Sequence, residues 1–248
     1  HSKKIMIEIG IITYGEHFAF DEKFKLLKKY FPGSKILVLN NKENSAKSSQ
    51  IQGSNTNYEF SGYLELSNCF SSTGPYLILN DTLFTSHITR GWLQLLRNFL
   101  AANKTKKQHI YGDLRYDGTR YEERPNPFLA SWLFVIPDFE TLKKFQVNLS
   151  SILADKSTLI SSEYEAFLDH WISPTSKLKG WHGGPINIQI KVRKKRCIIL
   201  EHRLSKLLNV NGMKLSSIGI NNPFIYKLLR LADRINTRLI TFKIKSLH

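Results

Sequence analysis

Apolar residues occur along this chain in short blocks separated by amphipathic stretches. Three blocks, at residues 7–12, 35–39 and 76–79, are rich in Ile, Leu and Val. Runs of this length read as strands covered on both faces of a sheet. Between the first two, Phe20, Phe24, Leu27 and Tyr30 recur at helical spacing beside lysines, which predicts a helix over residues 16–30. Phe31-Pro32-Gly33 stops it, so the chain opens as a right-handed βαβ unit. Residues 41–57, rich in Asn, Ser, Lys and Gln, are a loop whose length is unusual between core elements unless it performs a function.

The same reading predicts helices over residues 58–70, 92–103, 139–154 and 162–171, and strands over 109–114 and 128–136. Residues 113–127 are polar and loop-like, Gly180-Trp181-His182-Gly183-Gly184 is a tight turn, and 186–190 alternates like a short strand. Strands and helices in this order predict an α/β fold, a mixed sheet flanked by helices. Near the end, Asn222-Pro223 is a helix start, after which Phe224, Leu228, Leu231, Ile235, Leu239 and Phe242 recur at steps of three and four. Lys227, Arg230, Arg234 and Arg238 fall on another face. That pattern suits a helix lying in a membrane interface, a terminal helix packed on the core, or a subunit contact.

The length of 248 residues, with 42% apolar residues, fits one α/β domain with an appendage, and we place the division at 3–205 and 206–248. Two cysteines, Cys69 and Cys197, make no disulfide framework and have no metal-ligand spacing, which favours a reducing compartment. No run of about 18 apolar residues occurs and no leader pattern opens the chain, so neither a membrane span nor a secretory signal is expected. The net charge of +16, from 36 basic and 20 acidic residues, calls for a polyanionic partner: nucleic acid, anionic lipid or a phosphorylated small molecule. The excess gathers at 177–195 and 206–245.

Candidate chemistry lies at the strand ends. The first strand ends in Thr13-Tyr14, the second in Asn40-Asn41, and the third in Asn80-Asp81-Thr82. Small polar groups at carboxyl ends of strands are how open α/β sheets build ligand crevices. With Asn55, Asn57 and Gly62 in the Asn-rich stretch between them, these ends resemble the nucleotide-sugar half of GT-A glycosyltransferases, especially bacterial members that build cell-surface polysaccharides such as capsule and lipopolysaccharide. The resemblance covers roughly residues 5–190 and implies that Thr13, Tyr14, Asn40, Asn41 and Asn57 hold the nucleoside of a UDP- or GDP-linked sugar. It implies too that the third strand end carries an Asp-x-Asp-like motif binding Mn²⁺ or Mg²⁺ on the diphosphate. Here that motif has one carboxylate, Asp81, between Asn80 and Thr82.

A departing nucleoside diphosphate needs its charge neutralised by a metal or by basic groups. Asp81 supplies one oxygen ligand for a metal; without a metal, Arg90, Arg115, Arg120 or Arg124 must serve, and the sequence does not choose among them. An inverting transferase also needs a base at the acceptor hydroxyl. The resemblance implies an acidic motif at a helix start, matched here by Glu163, with Asp169 and Asp113 as substitutes. Ser162 with Glu165 also reads as a capping box. His182, between Trp181 and Gly183, is a candidate over the diphosphate, and Glu201-His202-Arg203 is another. The implied acceptor is a glycan or lipid-linked glycan at the cytoplasmic face of the cell membrane, touched peripherally. The rival readings are a nucleic-acid-binding protein, which lacks any helix-turn-helix, zinc-finger, RNP or KH signature here, and a non-catalytic partner subunit on the same scaffold.

Overall fold

The computed structural model describes residues 6–15, 20–44, 46–47, 50–85, 89–102, 105–116, 121–155, 160–173 and 187–218. It is an α/β fold. The strands are β1 (Glu8–Thr13), β2 (Lys35–Asn40), β3 (Ile51–Gln52), β4 (Tyr76–Asn80), β5 (His109–Arg115), β6 (Phe128–Ile136) and β7 (Lys214–Ser217). The helices are α1 (Phe20–Tyr30), α2 (Glu59–Asn68), α3 (Thr82–Thr85), α4 (Thr89–Ala101), α5 (Phe139–Ala154), α6 (Ser162–Ile172) and α7 (Ile188–Val210).

The strands form one sheet in the order β3-β2-β1-β4-β6-β5-β7. β1 pairs in parallel with β2 and β4, while β6 runs antiparallel to both β4 and β5. With β7 parallel to β5, every strand except β6 points the same way. The carboxyl ends of β1, β2, β4 and β5 therefore share one edge.

β1, β4 and β6 are buried along their whole lengths, as their continuous apolar runs require, because helices cover both faces. One face packs on α2, α5 and α7 through Phe60, Leu66, Phe134, Phe145 and Leu200. The other packs on α1 and α4 through Leu27, Leu93, Leu96 and Trp132. Gly10 of β1 lets α2 come close: a Cβ there would lie 2.2 Å from Leu66 Cδ2.

The expected α/β class and mixed sheet are present, and three expectations need correction. Residues 187–190, the described part of the expected 186–190 strand, are not a strand: Asn187 Oδ1 accepts the Ile190 N–H at 2.8 Å and starts α7. The apolar–polar alternation there is that of an exposed first helical turn, with Ile188 72% accessible. The cap of α6 is Ser161, whose Oγ accepts from Tyr164 N at 3.3 Å, one residue before the capping box expected at Ser162. Finally, the division at 205/206 falls inside α7. Ser205 Oγ accepts from Leu129 N at 3.1 Å, and β7 beyond it adds a strand beside β5, so residues 206–218 belong to the α/β body. α7 itself ends in a Schellman turn, with Gly212 at φ 77° and Met213 N donating to Leu208 O at 2.9 Å. The basic amphipathic pattern around Phe224–Phe242 and the His182 turn lie outside the described residues.

Candidate active site

At the shared strand edge lies a cavity of about 330 Å³, lined by Thr13 and Tyr14 of the β1 end, Asn41, Glu59, Asn80-Asp81-Thr82, and Arg193, Lys194 and Cys197 of α7. The β1 and β4 ends are tied together, since Tyr14 N donates to Asp81 Oδ2 at 3.2 Å. Thr13 turns its hydroxyl back onto Gly15 O at 3.0 Å. Asn40 is buried and structural: its Oδ1 accepts from Gly15 N at 3.1 Å and Lys42 N at 3.0 Å, shaping the rim without lining it. Asn41 lines the cavity and donates Nδ2 to Tyr58 O at 2.8 Å. Asn57 is not among the lining residues; its backbone N–H donates to Ser61 Oγ at 3.3 Å and opens α2.

Asn80 has a supported geometry. Its Nδ2 donates to Tyr63 Oη at 3.0 Å and its Oδ1 accepts from Thr82 N at 3.0 Å. Tyr63, fully buried, donates in turn to Ser131 O at 2.7 Å. Burial, reinforced by the charges of Glu59, Glu201 and Asp81, pushes the Tyr63 phenol well above its ordinary value, so it stays a donor. Tyr63→Phe leaves the Asn80 amide and the Ser131 carbonyl without that partner. A loss of about 1–3 kcal/mol in urea unfolding is expected.

The other wall is α7, which brings residues absent from the sequence-based set. Tyr58 holds φ 56°, ψ −135°, a conformation costing about 1–3 kcal/mol for a bulky residue, and its ring lies beneath Arg193. The Arg193 guanidinium carbon lies 4.9 Å from the Tyr58 ring centroid and 4.3 Å from that of Tyr14. Cys197 is buried and donates its thiol to Glu59 Oε2 at 3.3 Å; burial, then the Glu59 carboxylate, push that thiol far up, so it is inert.

One turn beyond Cys197 on α7 stands Glu201. Its Oε2 accepts from Ser131 N at 2.6 Å, so Ser131 connects Glu201 to Tyr63 and thence to Asn80 through one backbone residue. Burial raises the Glu201 carboxyl above the usual carboxylate range, against the pull of Arg115, the Ser131 N–H and Lys194. Its neighbour His202 faces away into a second cluster, where the ring packs 4.5 Å from Phe128 and bonds Tyr164 Oη through Nδ1. Burial lowers the His202 pKa to about 3, with Arg124 and Arg115 adding to the shift. The folded state thus binds fewer protons than the unfolded chain between about 3 and the ordinary histidine value of 6.5. Stability contributed by neutral His202 is complete above that window and lost as pH falls through it. His202→Gln is expected to flatten the acid limb of a Tm-against-pH curve.

The expected base, Glu163, is exposed on the first turn of α6 and does not line the cavity. Its position is explained by the Ser161 cap, since acids favour first helical turns. The substitutes are committed elsewhere. Asp169 meets Lys191 at 3.0 Å and Lys195 at 3.4 Å, and Lys195 also reaches Glu165 at 2.7 Å, tying α6 to α7. Asp113 is buried, accepting from Trp132 Nε1 at 3.0 Å and from Arg115 at 3.1 Å. Of the arginines considered for the diphosphate, Arg115 pairs with Asp113, and Arg124 is buried over the Phe128 and Phe167 rings. Arg120 and the Arg90 side chain lie outside the described residues.

A divalent metal fits this donor set poorly. Among the described residues no group of three or more His, Cys, Asp and Glu gathers. Asp81 accepts from a backbone N–H, Glu59 accepts from a thiol, and the facing wall carries two cations. Among the described residues no helix is long and apolar enough to cross a membrane. Comparison with protein-family models, curated proteins and solved structures found no match to the chain.

Proposed function

We propose that the chain is a glycosyltransferase that moves a sugar from a nucleoside diphosphate sugar to a hydroxyl of a glycan or lipid-linked glycan, with inversion, in the synthesis of a surface polysaccharide. The observation that carries the reading is the cavity where the β1 and β4 ends meet α7, with Asp81 and Asn80 on one wall and Arg193, Lys194 and Cys197 on the other; Glu201 is not among the lining residues and stands one turn beyond Cys197 on the same helix. Crevices at carboxyl strand ends are where open α/β sheets bind nucleotides. The rim has the parts a nucleoside uses: the Tyr14 and Tyr58 rings for stacking, and amide and hydroxyl groups from Asn41 and Thr13.

In this reading Glu201 is the general base. A carboxyl whose proton affinity is raised by burial is a stronger base for removing a hydroxyl proton than an ordinary exposed one. The acceptor oxygen attacks the anomeric carbon as its proton passes to Glu201. The bond from that carbon to the phosphate oxygen breaks, and the electron pair leaves with the nucleoside diphosphate. Tyr63 and Ser131 position the base and Asn80 relative to each other. Attachment to the cytoplasmic face of a membrane, through the basic C-terminal sequence, brings a lipid-linked acceptor within reach.

The test is a panel of UDP- and GDP-sugars offered to the full chain with glycan acceptors, with nucleotide release and glycan mass as readouts. Release coupled to a mass gain of one sugar is expected. A nucleic-acid binder or a non-catalytic subunit would release no nucleotide from any donor.

A further inference from the structure

We propose that Arg193 and Lys194 of α7 provide the positive charge that holds the donor diphosphate and stabilises it as it leaves, so that the site works without a divalent metal. The inference rests on the donor-site reading above and specifies how that site manages charge. A metal centre would be expected to concentrate carboxylates at the β4 end. This chain instead places one acid there, Asp81, with an amide before it and a hydroxyl after it, and sets two cations across the cavity from it.

The surroundings of the pair support this assignment. α7 carries five basic residues in one stretch, Lys191, Arg193, Lys194, Lys195 and Arg196, and the first four divide between two faces. Lys191 and Lys195 are taken up by Asp169 and Glu165 of α6. Arg193 and Lys194 fall on the other side and line the cavity. The ion pairs to α6 thus hold the rotation of the helix that aims the other two inward. Arg193 is held as well as placed, because its guanidinium carbon lies over the Tyr14 and Tyr58 rings. A guanidinium held over rings still has N–H groups to offer a phosphate, and two parallel hydrogen bonds are the geometry arginine favours there. Lys194 acts on the Glu201 carboxylate too, so the charge that receives the leaving group also bears on the proposed base. Phosphate drawing Lys194 toward itself weakens that pull and raises the proton affinity of Glu201 as the leaving group develops charge.

The experiment is calorimetric binding of UDP and of GDP to the full chain, in excess EDTA and in excess Mn²⁺, for the native sequence, Arg193→Gln and Lys194→Gln. Both side chains lie on a helix surface, and equal Tm values confirm that the variants fold. The expected result is binding of one nucleotide in EDTA with affinity within about twofold of that in Mn²⁺, and a loss of about 10- to 100-fold in each variant, the size of a charge-assisted hydrogen bond. Binding that appears only with Mn²⁺ would overturn the inference and leave the donor-site reading standing. Binding in EDTA that neither variant weakens would remove these residues from the role. Failure of both nucleotides under both conditions would sink the donor-site reading itself, and this inference with it.

Discussion

Glu201→Gln is expected to slow glycosyl transfer by about 10²–10⁴-fold, the usual contribution of a positioned base, while leaving nucleotide affinity close to that of the native chain. Gln keeps the shape and an oxygen for the Ser131 N–H, and removes only the ability to take a proton. The same substitution has an opposite effect on stability. Burial raises the folded-state pKa of Glu201, so the folded protein binds more protons than the unfolded chain above the ordinary carboxylate value, and stability falls as pH rises through that window. Glu201→Gln therefore gives a Tm near neutral pH at or above that of the native chain, and the gap closes in acid. A variant that loses turnover and gains stability is the signature of a functional carboxylate whose burial costs stability. Glu163→Gln, changing an exposed residue away from the cavity, is expected to alter neither quantity. Retained turnover in the Glu201 variant would place the base elsewhere.

Phe134→Ala is expected to cost about 3–5 kcal/mol of unfolding free energy in a urea titration. Phe134 is 1% accessible near the carboxyl end of β6. Its ring meets Tyr63 edge-on at 5.5 Å and Phe145 at 5.3 Å. The side chain joins the sheet, α2 and α5, and α2 carries the Tyr63 hydroxyl that steadies Asn80. The cavity left by truncation therefore lies directly behind the site. Nucleotide binding is expected to weaken in Phe134→Ala, because Tyr63 loses the ring that fixes its χ1. Phe134→Leu, which refills much of the volume, is expected to recover most of both losses.

The strand ends were legible in the sequence because a strand buried on both faces is a plain apolar run, and the first polar residue after it marks the edge. Thr13, Tyr14, Asn41, Asn80, Asp81 and Thr82 were found that way, and the cavity gathers all of them. Asn40 and Asn57 had the right composition for a ligand, yet the backbone N–H groups of Gly15 and Lys42 and the start of α2 account for them. The α7 wall was hidden for a physical reason. Cys197, Leu200, Leu204 and Leu208 face the sheet side, whereas Ile198 and Ile199 pack on α6. A helix buried on two sides has no single apolar stripe, so the period of 3.6 is lost. Glu201, a candidate within Glu201-His202-Arg203, carries a further signal: it follows Cys197-Ile198-Ile199-Leu200 directly, and an acid inside such a run is either paired or functional. The acid at a helix start, Glu163, was the more familiar pattern, and the Ser161 cap suffices to explain it.

The account depends on the cavity between the ends of β1 and β4 and helix α7 being the seat of a nucleoside diphosphate. A crystal structure of the full chain with UDP or GDP bound tests this most directly. The predicted result is a nucleotide whose diphosphate lies between Asp81 and the Arg193–Lys194 pair, with its base at the Tyr14–Tyr58 rim. A nucleotide bound on another surface, with the cavity unchanged, would contradict it.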